Sequence, residues 1–367
     1  MCLGYSKSVR VRIQTFIEDF IGSLERDRHL QEVKALTGFL RQARGSGGTV
    51  YFLGNGASAS ISSTLAFKAL SEQGLRALAI NDHNLLLGMS RKRSFGEWMQ
   101  GAGEVLLKAG DALVLTSSSG ESPNVVKLAA YAREIGLPVF SLTGFNHANQ
   151  LWRTAESALW VDSMNYNVVE TAHLLLGLIA VKGLEHSDQE LEDEFDRNLT
   201  ELEELDWKAI IDRLTEFAAE LSGIDYRQKR IIFVGDGSSA SLASHLATDF
   251  SKSGLTAQAL NDHSFLSASQ NDFGSLDWIQ VGIERSYRPG DMVIFVSHGE
   301  LFPAEMKALQ LADTNGLEFA HHGTVNPPAD LPPHRDLRYE VDSGANELVA
   351  PSIGLLALAE AFLPEVV

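Results

Sequence analysis

Cysteine is almost missing from this chain: among 367 residues only Cys2 carries a thiol, so no intrachain disulfide framework exists. Positive charge is also in short supply, with 30 Lys and Arg against 48 Asp and Glu and a net charge of −18. Nucleic acid and anionic membrane would be repelled, and neither is expected as a partner. A phosphorylated small molecule stays open, because a local cradle of backbone N–H groups overrides the global field. No apolar run approaches about 18 residues, and no N-terminal stretch has the basic, apolar, small-residue order of a signal peptide. The expected compartment is the cytoplasm. What is present, 44% hydrophobic and 21% charged residues over a length that suits two domains, describes a globular protein able to bury real cores.

The chain is organised around Thr49–Lys68, TVYFLGNGASASISSTLAFK, and its echo Arg230–Phe250, RIIFVGDGSSASLASHLATDF. Each copy has an apolar run of strand length, a Gly-x-Gly, then small and hydroxyl residues opening a helix. Such a turn lets a helix N-terminus present free N–H groups and its positive dipole end to an anion. The echo extends well beyond this stretch. Asn81-Asp82-His83 recurs as Asn261-Asp262-His263, Phe95-Gly96 as Phe273-Gly274, and Trp98-x-Gln100 as Trp278-x-Gln280. Gly110-Asp111 recurs as Gly290-Asp291, Gly120-Glu121 as Gly299-Glu300, and Asp162-Ser163 as Asp342-Ser343. Matches in one order at a nearly constant offset mean that a whole domain was duplicated. Domains are expected over residues 1–184, with an N-terminal helix, and 185–367, with a charge-rich linker or opening helix.

In the first half the pattern predicts strands at Val50–Leu53, Leu75–Ile80, Ala112–Thr116, Pro138–Leu142 and Ala158–Val161. Helices are expected over 9–43, Ser58–Ser71, Phe95–Lys108, Pro123–Ile135 and Val168–Leu184, with a loop starting at Asn81-Asp82-His83. Short buried strands alternating with helices indicate an α/β fold, doubly wound, with a parallel sheet covered on both faces. His83 and His263 either line the cleft or reflect loop structure, and His321-His322 reads as loop.

Alone, Gly-x-Gly after a strand also suits a dinucleotide fold, and Asp82 stands where a ribose-binding acid would. The loop after the third strand, Thr116-Ser117-Ser118-Ser119-Gly120-Glu121-Ser122-Pro123, turns the balance. An N-cap needs one hydroxyl; this loop has five, four of them serines, enough to surround a phosphate with hydrogen bonds. The second half has Val296-Ser297-His298-Gly299 there, and phosphate binding is not expected in that copy.

GNGASAS (Gly54–Ser60), LTSSSGESPNVV (Leu115–Val126) and SLTG (Ser141–Gly144) resemble the sugar isomerase (SIS) domain family, and within it phosphoheptose (sedoheptulose 7-phosphate) isomerases. The resemblance covers nearly the whole chain, once per half, with GDGSSAS (Gly235–Ser241) and QNDFG (Gln270–Gly274) carrying it in the second. It implies two domains, each a mainly parallel five-stranded sheet flanked by helices, in a homo-oligomer such as a dimer with four SIS domains. It further implies a sugar phosphate held by Asn55, Ser58, Ser117, Ser118, Ser119 and Ser122. The family's helix-one histidine and acid fall on Thr64 and Lys68 in the first half but on His245 and Asp249 in the second. Its last-helix histidine falls on His173, within Glu170-Thr171-Ala172-His173, and on Ala350 in the second half.

The losses are complementary: a site combining both halves keeps one full set, whereas sites lying wholly inside one half are both incomplete, and the composite arrangement is the one expected. The resemblance then implies an aldose–ketose phosphosugar isomerase with Asp249 as base, His173 as acid and His245 beside the base. Zn²⁺ is the cofactor it allows, with His245, Asp249, His173 and Glu170 as ligands. The alternative is a sugar-phosphate-binding regulatory or scaffold protein without catalysis, which Thr64, Lys68 and Ala350 favour. His173 in a core position, and His245 with Asp249 as an ordinary surface i, i+4 pair, are the plain structural alternatives.

Overall fold

The structure, a computed structural model, describes residues 2–223, 229–299, 301–326, 330–332, 335–342 and 344–362. Glu300 and Ser343, the repeat partners of Glu121 and Ser163, lie outside the described residues. The chain divides into two compact units, one of residues 19–199, the other of the chain up to Glu18 together with everything from Thr200 onward.

Helices α1 (Cys2–Gly22) and α2 (Arg26–Ser46) lead to β1 (Val50–Leu53), α3 (Ala57–Ser71), β2 (Ala77–Ala79), α4 (His83–Lys92) and α5 (Trp98–Leu106). Then come β3 (Ala112–Ser117), α6 (Pro123–Glu134), β4 (Val139–Gly144), α7 (Gln150–Thr154), β5 (Ser157–Val161) and α8 (Tyr166–Lys182). After α9 (Asp188–Glu204) and α10 (Trp207–Ser222) the plan repeats as β6 (Ile231–Val234), α11 (Ser238–Lys252), β7 (Ala257–Ala259), α12 (His263–Phe273) and α13 (Trp278–Ser286). It ends with β8 (Met292–Ser297), α14 (Pro303–Thr314), β9 (Phe319–Gly323), β10 (Asp336–Arg338) and α15 (Asn346–Phe362).

Each unit holds one five-stranded sheet, β2-β1-β3-β4-β5 and β7-β6-β8-β9-β10, with every pair parallel. In the first sheet Tyr51, Leu53, Leu113, Leu115 and Val139 bury one face against Trp98 and Met99 of α5 and Val125, Leu128 and Ala129 of α6. The other face meets α2, where Phe39 packs on Phe140 at 5.6 Å. The second sheet repeats this with α13 and α14 on one face and the Phe233–Phe250 ring contact of α11, at 5.0 Å, on the other. Burial on both faces is why the strands read as unbroken apolar runs. The helical stretch Tyr166–Glu185, α8 with the turn that follows it, is long and apolar enough by length and composition to cross a membrane, but 94% of its apolar window is buried inside the structure.

Two expectations change. The stretch after Asn81 is not a loop: Asp82 caps α4 by accepting from Leu85 N at 2.7 Å, and Asp262 does the same for α12 from Phe265 N at 3.0 Å. Asn81 and Asn261 donate back to the Ala59 and Ala240 carbonyls, at 3.0 and 2.8 Å. The repeated Asn-Asp-His is therefore explained by capping and loop anchoring, with His83 and His263 exposed. His321 and His322 form part of β9 and are fully buried, the first with Nδ1 3.3 Å from Asp336 Oδ1, the second packed on Phe217 at 5.5 Å. Burial lowers the His322 pKa to about 3, with His321 adding to the drop, so its ring enters the core neutral. Two polar residues inside a strand hid it from the hydrophobic pattern.

Asp111 and Asp291, conserved between the two halves, close equivalent corners. Asp111 accepts from Thr49 N at 2.8 Å and Lys108 N at 3.0 Å; Asp291 accepts from Arg230 N at 2.9 Å and Arg288 N at 3.0 Å. Both side chains are fully buried. Asp111→Ala strands two buried amides and is expected to cost about 2 kcal/mol or more, read as a lowered urea midpoint, with Asp111→Asn milder because one acceptor survives.

Candidate functional site

The strand order places the reversal of winding direction between β1 and β3, and ligands in open α/β sheets bind beyond the carboxyl ends of the strands at that point. The glycine turn and the serine loop leave the sheet there. A Cβ on Gly54 would stand 2.7 Å from the Ser58 backbone, and Gly56 has φ 54° and ψ −125°, so both glycines are needed to fold α3 back onto its strand. Gly235 and Gly237 repeat both features, with 2.5 Å to Ser239 O and φ 56°.

In the first unit, Asn55 and Asn124 exchange amide hydrogen bonds at 3.0 and 2.8 Å, which ties the glycine turn to the start of α6. Ser117 Oγ donates to Ser122 Oγ at 3.1 Å, and Ser118 Oγ donates to Glu170 Oε1 of α8 at 3.1 Å. Ser119 Oγ accepts from Glu121 N at 3.3 Å. Ser122 stands at the N-cap of α6 without capping it through its side chain, and the N-cap of α3 is Gly56, which has no side chain to offer. Two helix N-termini thus open toward a hydroxyl-rich loop. Ser58, Ser117 and Ser118 are buried, while Asn55, Ser119 and Ser122 are half-buried. On α3, Thr64 Oγ1 donates to Ser60 O at 3.1 Å and Lys68 pairs with Glu72 at 2.5 Å.

His173 lies in the core of this unit at 0% exposure, its Nε2–H donating to the Thr143 carbonyl at 3.0 Å. Burial lowers its pKa to about 4, so the ring is a neutral imidazole at physiological pH.

In the second unit, His245 Nε2 lies 3.0 Å from Asp249 Oδ2 across one turn of α11, and Lys252 Nζ lies 2.7 Å from Asp249 Oδ1. The His245 and Asp249 side chains are 6% and 5% exposed, which sets them apart from a solvated surface pair. Burial by itself would raise the Asp249 carboxyl, but hydrogen bonds and charge from His245 and Lys252 outweigh it and hold the pKa below the usual value. Asp249 is thus held as an ionised carboxylate in a secluded place.

The loops of the second unit are tied together by different chemistry. Glu305, where Val125 stands in the first unit, accepts from Phe302 N at 3.2 Å and also from the amide of Asp236. His298 replaces a serine and pairs through Nδ1 with Ser239 Oγ at 2.6 Å. Asp236, at the position that Asn55 holds in the first unit, puts a carboxylate at this edge, which disfavours a phosphate. Glu305 carries no marker in the sequence other than a carboxylate in the first turn of a helix, and only the fold puts it under the loop. Burial pushes its carboxyl up to about 8, opposed by the Phe302 amide and reinforced by the Asp236 charge. A raised folded-state pKa means that stability from the neutral form is complete below about 4.5 and is lost as pH rises toward about 8. Glu305→Gln should therefore gain stability relative to wild type between pH 5 and pH 8.5; a urea-midpoint difference that does not vary with pH would contradict the assignment.

Comparison with known proteins gives a consistent result. A family model described as SIS domain matches residues 16–144. A phosphoheptose isomerase of Thermodesulfovibrio yellowstonii is 26% identical over 182 residues, 48% of this chain and 85% of the relative. A protein named "Probable phosphoheptose isomerase" from Thermoplasma volcanium is 30% identical over 135 residues, 35% of this chain and 68% of the relative. Among solved structures, the C-terminal domain of glucosamine-fructose-6-phosphate aminotransferase from Francisella tularensis is similar with TM-score 0.67 and 14% identity, covering 97% of this chain and 94% of that one. The tagatose-6-phosphate ketose/aldose isomerase of Escherichia coli is similar with TM-score 0.63 and 16% identity, covering 97% and 91%. With the two parallel five-stranded sheets and the glycine and serine loops at their switch point, these matches lead to one conclusion: the chain belongs to the SIS domain family.

Proposed function

We propose that this protein is an aldose–ketose phosphosugar isomerase of the sedoheptulose 7-phosphate type, with one composite site per chain that combines elements of both halves. The observation that carries the reading is the serine loop set beside two helix N-termini whose own N-cap residues, Gly56 and Ser122, make no side-chain cap. Ser117, Ser118, Ser119 and Ser122, with Asn55 and Ser58, would hold the phosphate through hydroxyls and helix amides without a fixed positive charge. Asp249 would move a proton between C1 and C2 through an enediol, with His245 fixing the carboxylate. His173 would serve the substrate oxygens as a neutral imidazole, which exchanges hydrogen bonds without acquiring a charge; its burial requires substrate binding to open a route to it.

Zn²⁺ fits part of the proposed donor set. His245 and Asp249 offer a buried imidazole and carboxylate of suitable type, and Glu170 would add a second carboxylate; a bound ion would polarise the sugar carbonyl. His173 fits less well, since its Nε2 is engaged by Thr143.

A second reading, a sugar-phosphate sensor or scaffold without catalysis, draws support from Thr64 and Lys68 on the α3 face, where Lys68 is engaged by Glu72. Turnover and binding on a panel of heptulose and hexulose phosphates separate the two. The isomerase reading expects Asp249→Asn and His173→Ala each to lower kcat by about 10²–10⁴-fold, and Ser119→Ala to weaken binding of the phosphate end. Wild-type protein that binds these sugars and converts none would decide for the sensor.

A further inference from the structure

Beside the serine loop the first unit carries a feature that phosphate binding leaves unexplained. Phe145, the residue after β4, has φ 55°, the one positive φ outside glycine among the described residues. A bulky side chain in this left-handed region is strained and persists only where its surroundings over-determine it. Here they do. Phe145 N donates to the Ser163 carbonyl at 3.1 Å, and Phe145 O accepts from Trp160 Nε1 at 3.2 Å. Trp160 is itself held from the far side, its N donating to Glu32 Oε2 at 3.3 Å and its carbonyl meeting His29 Nε2 at 3.2 Å. The result is that the Phe145 ring stands edge-on to Tyr166 at 4.7 Å and 69°, a favoured aromatic geometry. Tyr166 is 57% exposed and its neighbour Met164 is 74% exposed.

Both rings are one step from the loop. Gly144, which precedes Phe145, donates its N–H to the Ser118 carbonyl at 2.8 Å. Tyr166 lies one helical turn before Glu170, the acceptor of the Ser118 hydroxyl, and i, i+4 positions share a helix face. The second half has lost both features together: Val325 stands where Phe145 does, and between Asp342 and Glu347 the sequence SGAN has no aromatic residue. Platform and serine loop thus occur in the same half and are absent from the same half.

The geometry points to a carbohydrate-stacking subsite, in which Phe145 and Tyr166 receive the C–H face of the carbon skeleton whose phosphate sits in the serine loop. The inference rests on the phosphosugar reading and adds the residues that select the sugar end of the ligand over its phosphate. Aromatic contacts of this type contribute enough to change affinity by about three- to tenfold.

The test is calorimetric titration of wild type, Phe145→Gly and Tyr166→Ser with two probes, inorganic phosphate and sedoheptulose 7-phosphate. Phe145→Gly removes the ring and relieves the strained backbone; Tyr166→Ser alters an exposed position and keeps the backbone as it is. Each variant is expected to bind the sugar phosphate about three- to tenfold more weakly than wild type and inorganic phosphate within twofold of it. Equal weakening for both probes, or no change for either, overturns the subsite while leaving the phosphate site standing. Wild type that binds neither probe overturns the phosphate reading and the subsite with it.

Discussion

The structure of each unit depends on one close approach: the backbone of the first helix turn against the glycine that ends the first strand. At Gly54 and again at Gly235 a Cβ would overlap the helix backbone, so the turn is possible only without one. That approach delivers a helix N-terminus to the sheet edge at the point where winding reverses. Serine hydroxyls, amide pairs and carboxylate acceptors are then arranged around a position that the two glycines have already selected.

The two copies use this shared frame for different chemistry. In the first, Asn55 and Asn124 hold the glycine turn to α6 with neutral amide bonds beside the serine hydroxyls. In the second, Glu305 makes the equivalent tie from beneath and Asp236 adds a carboxylate, so the edge is acidic. Duplication preserves the corners that fold the units, as with Asp111 and Asp291, while the groups facing the cleft diverge. A buried corner tolerates little change because its stranded amides have no water to turn to. A loop open at the sheet edge is free to change its side chains.

Burial also sorts the histidines. His173, His321 and His322 are in the core, and burial keeps the first and last neutral. His245 differs because it has an ionised partner, Asp249, on its own helix. The His245 imidazole thus lies beside a secluded carboxylate, whereas the His173 imidazole is bonded to a backbone carbonyl.

Much of the fold was legible in the sequence. Five strands of the first half, the domain repeat and the serine loop follow from apolar runs, glycines and hydroxyl spacing, because these are local constraints. The contrast of His245 and Asp249 with Thr64 and Lys68 came from the family resemblance carried along the repeat, with helical spacing putting each pair on one face. What the sequence did not reveal depends on neighbours far along the chain. That Asn81 is anchored on Ala59 and that His321-His322 lies in a strand required knowing which carbonyl, carboxylate and ring receive them. The raised carboxyl of Glu305, the core placement of His173 and the strained Phe145 were decided by tertiary structure alone. Each arises from what surrounds the residue (burial, a distant carbonyl, a clamped peptide), and no spacing in the chain encodes that.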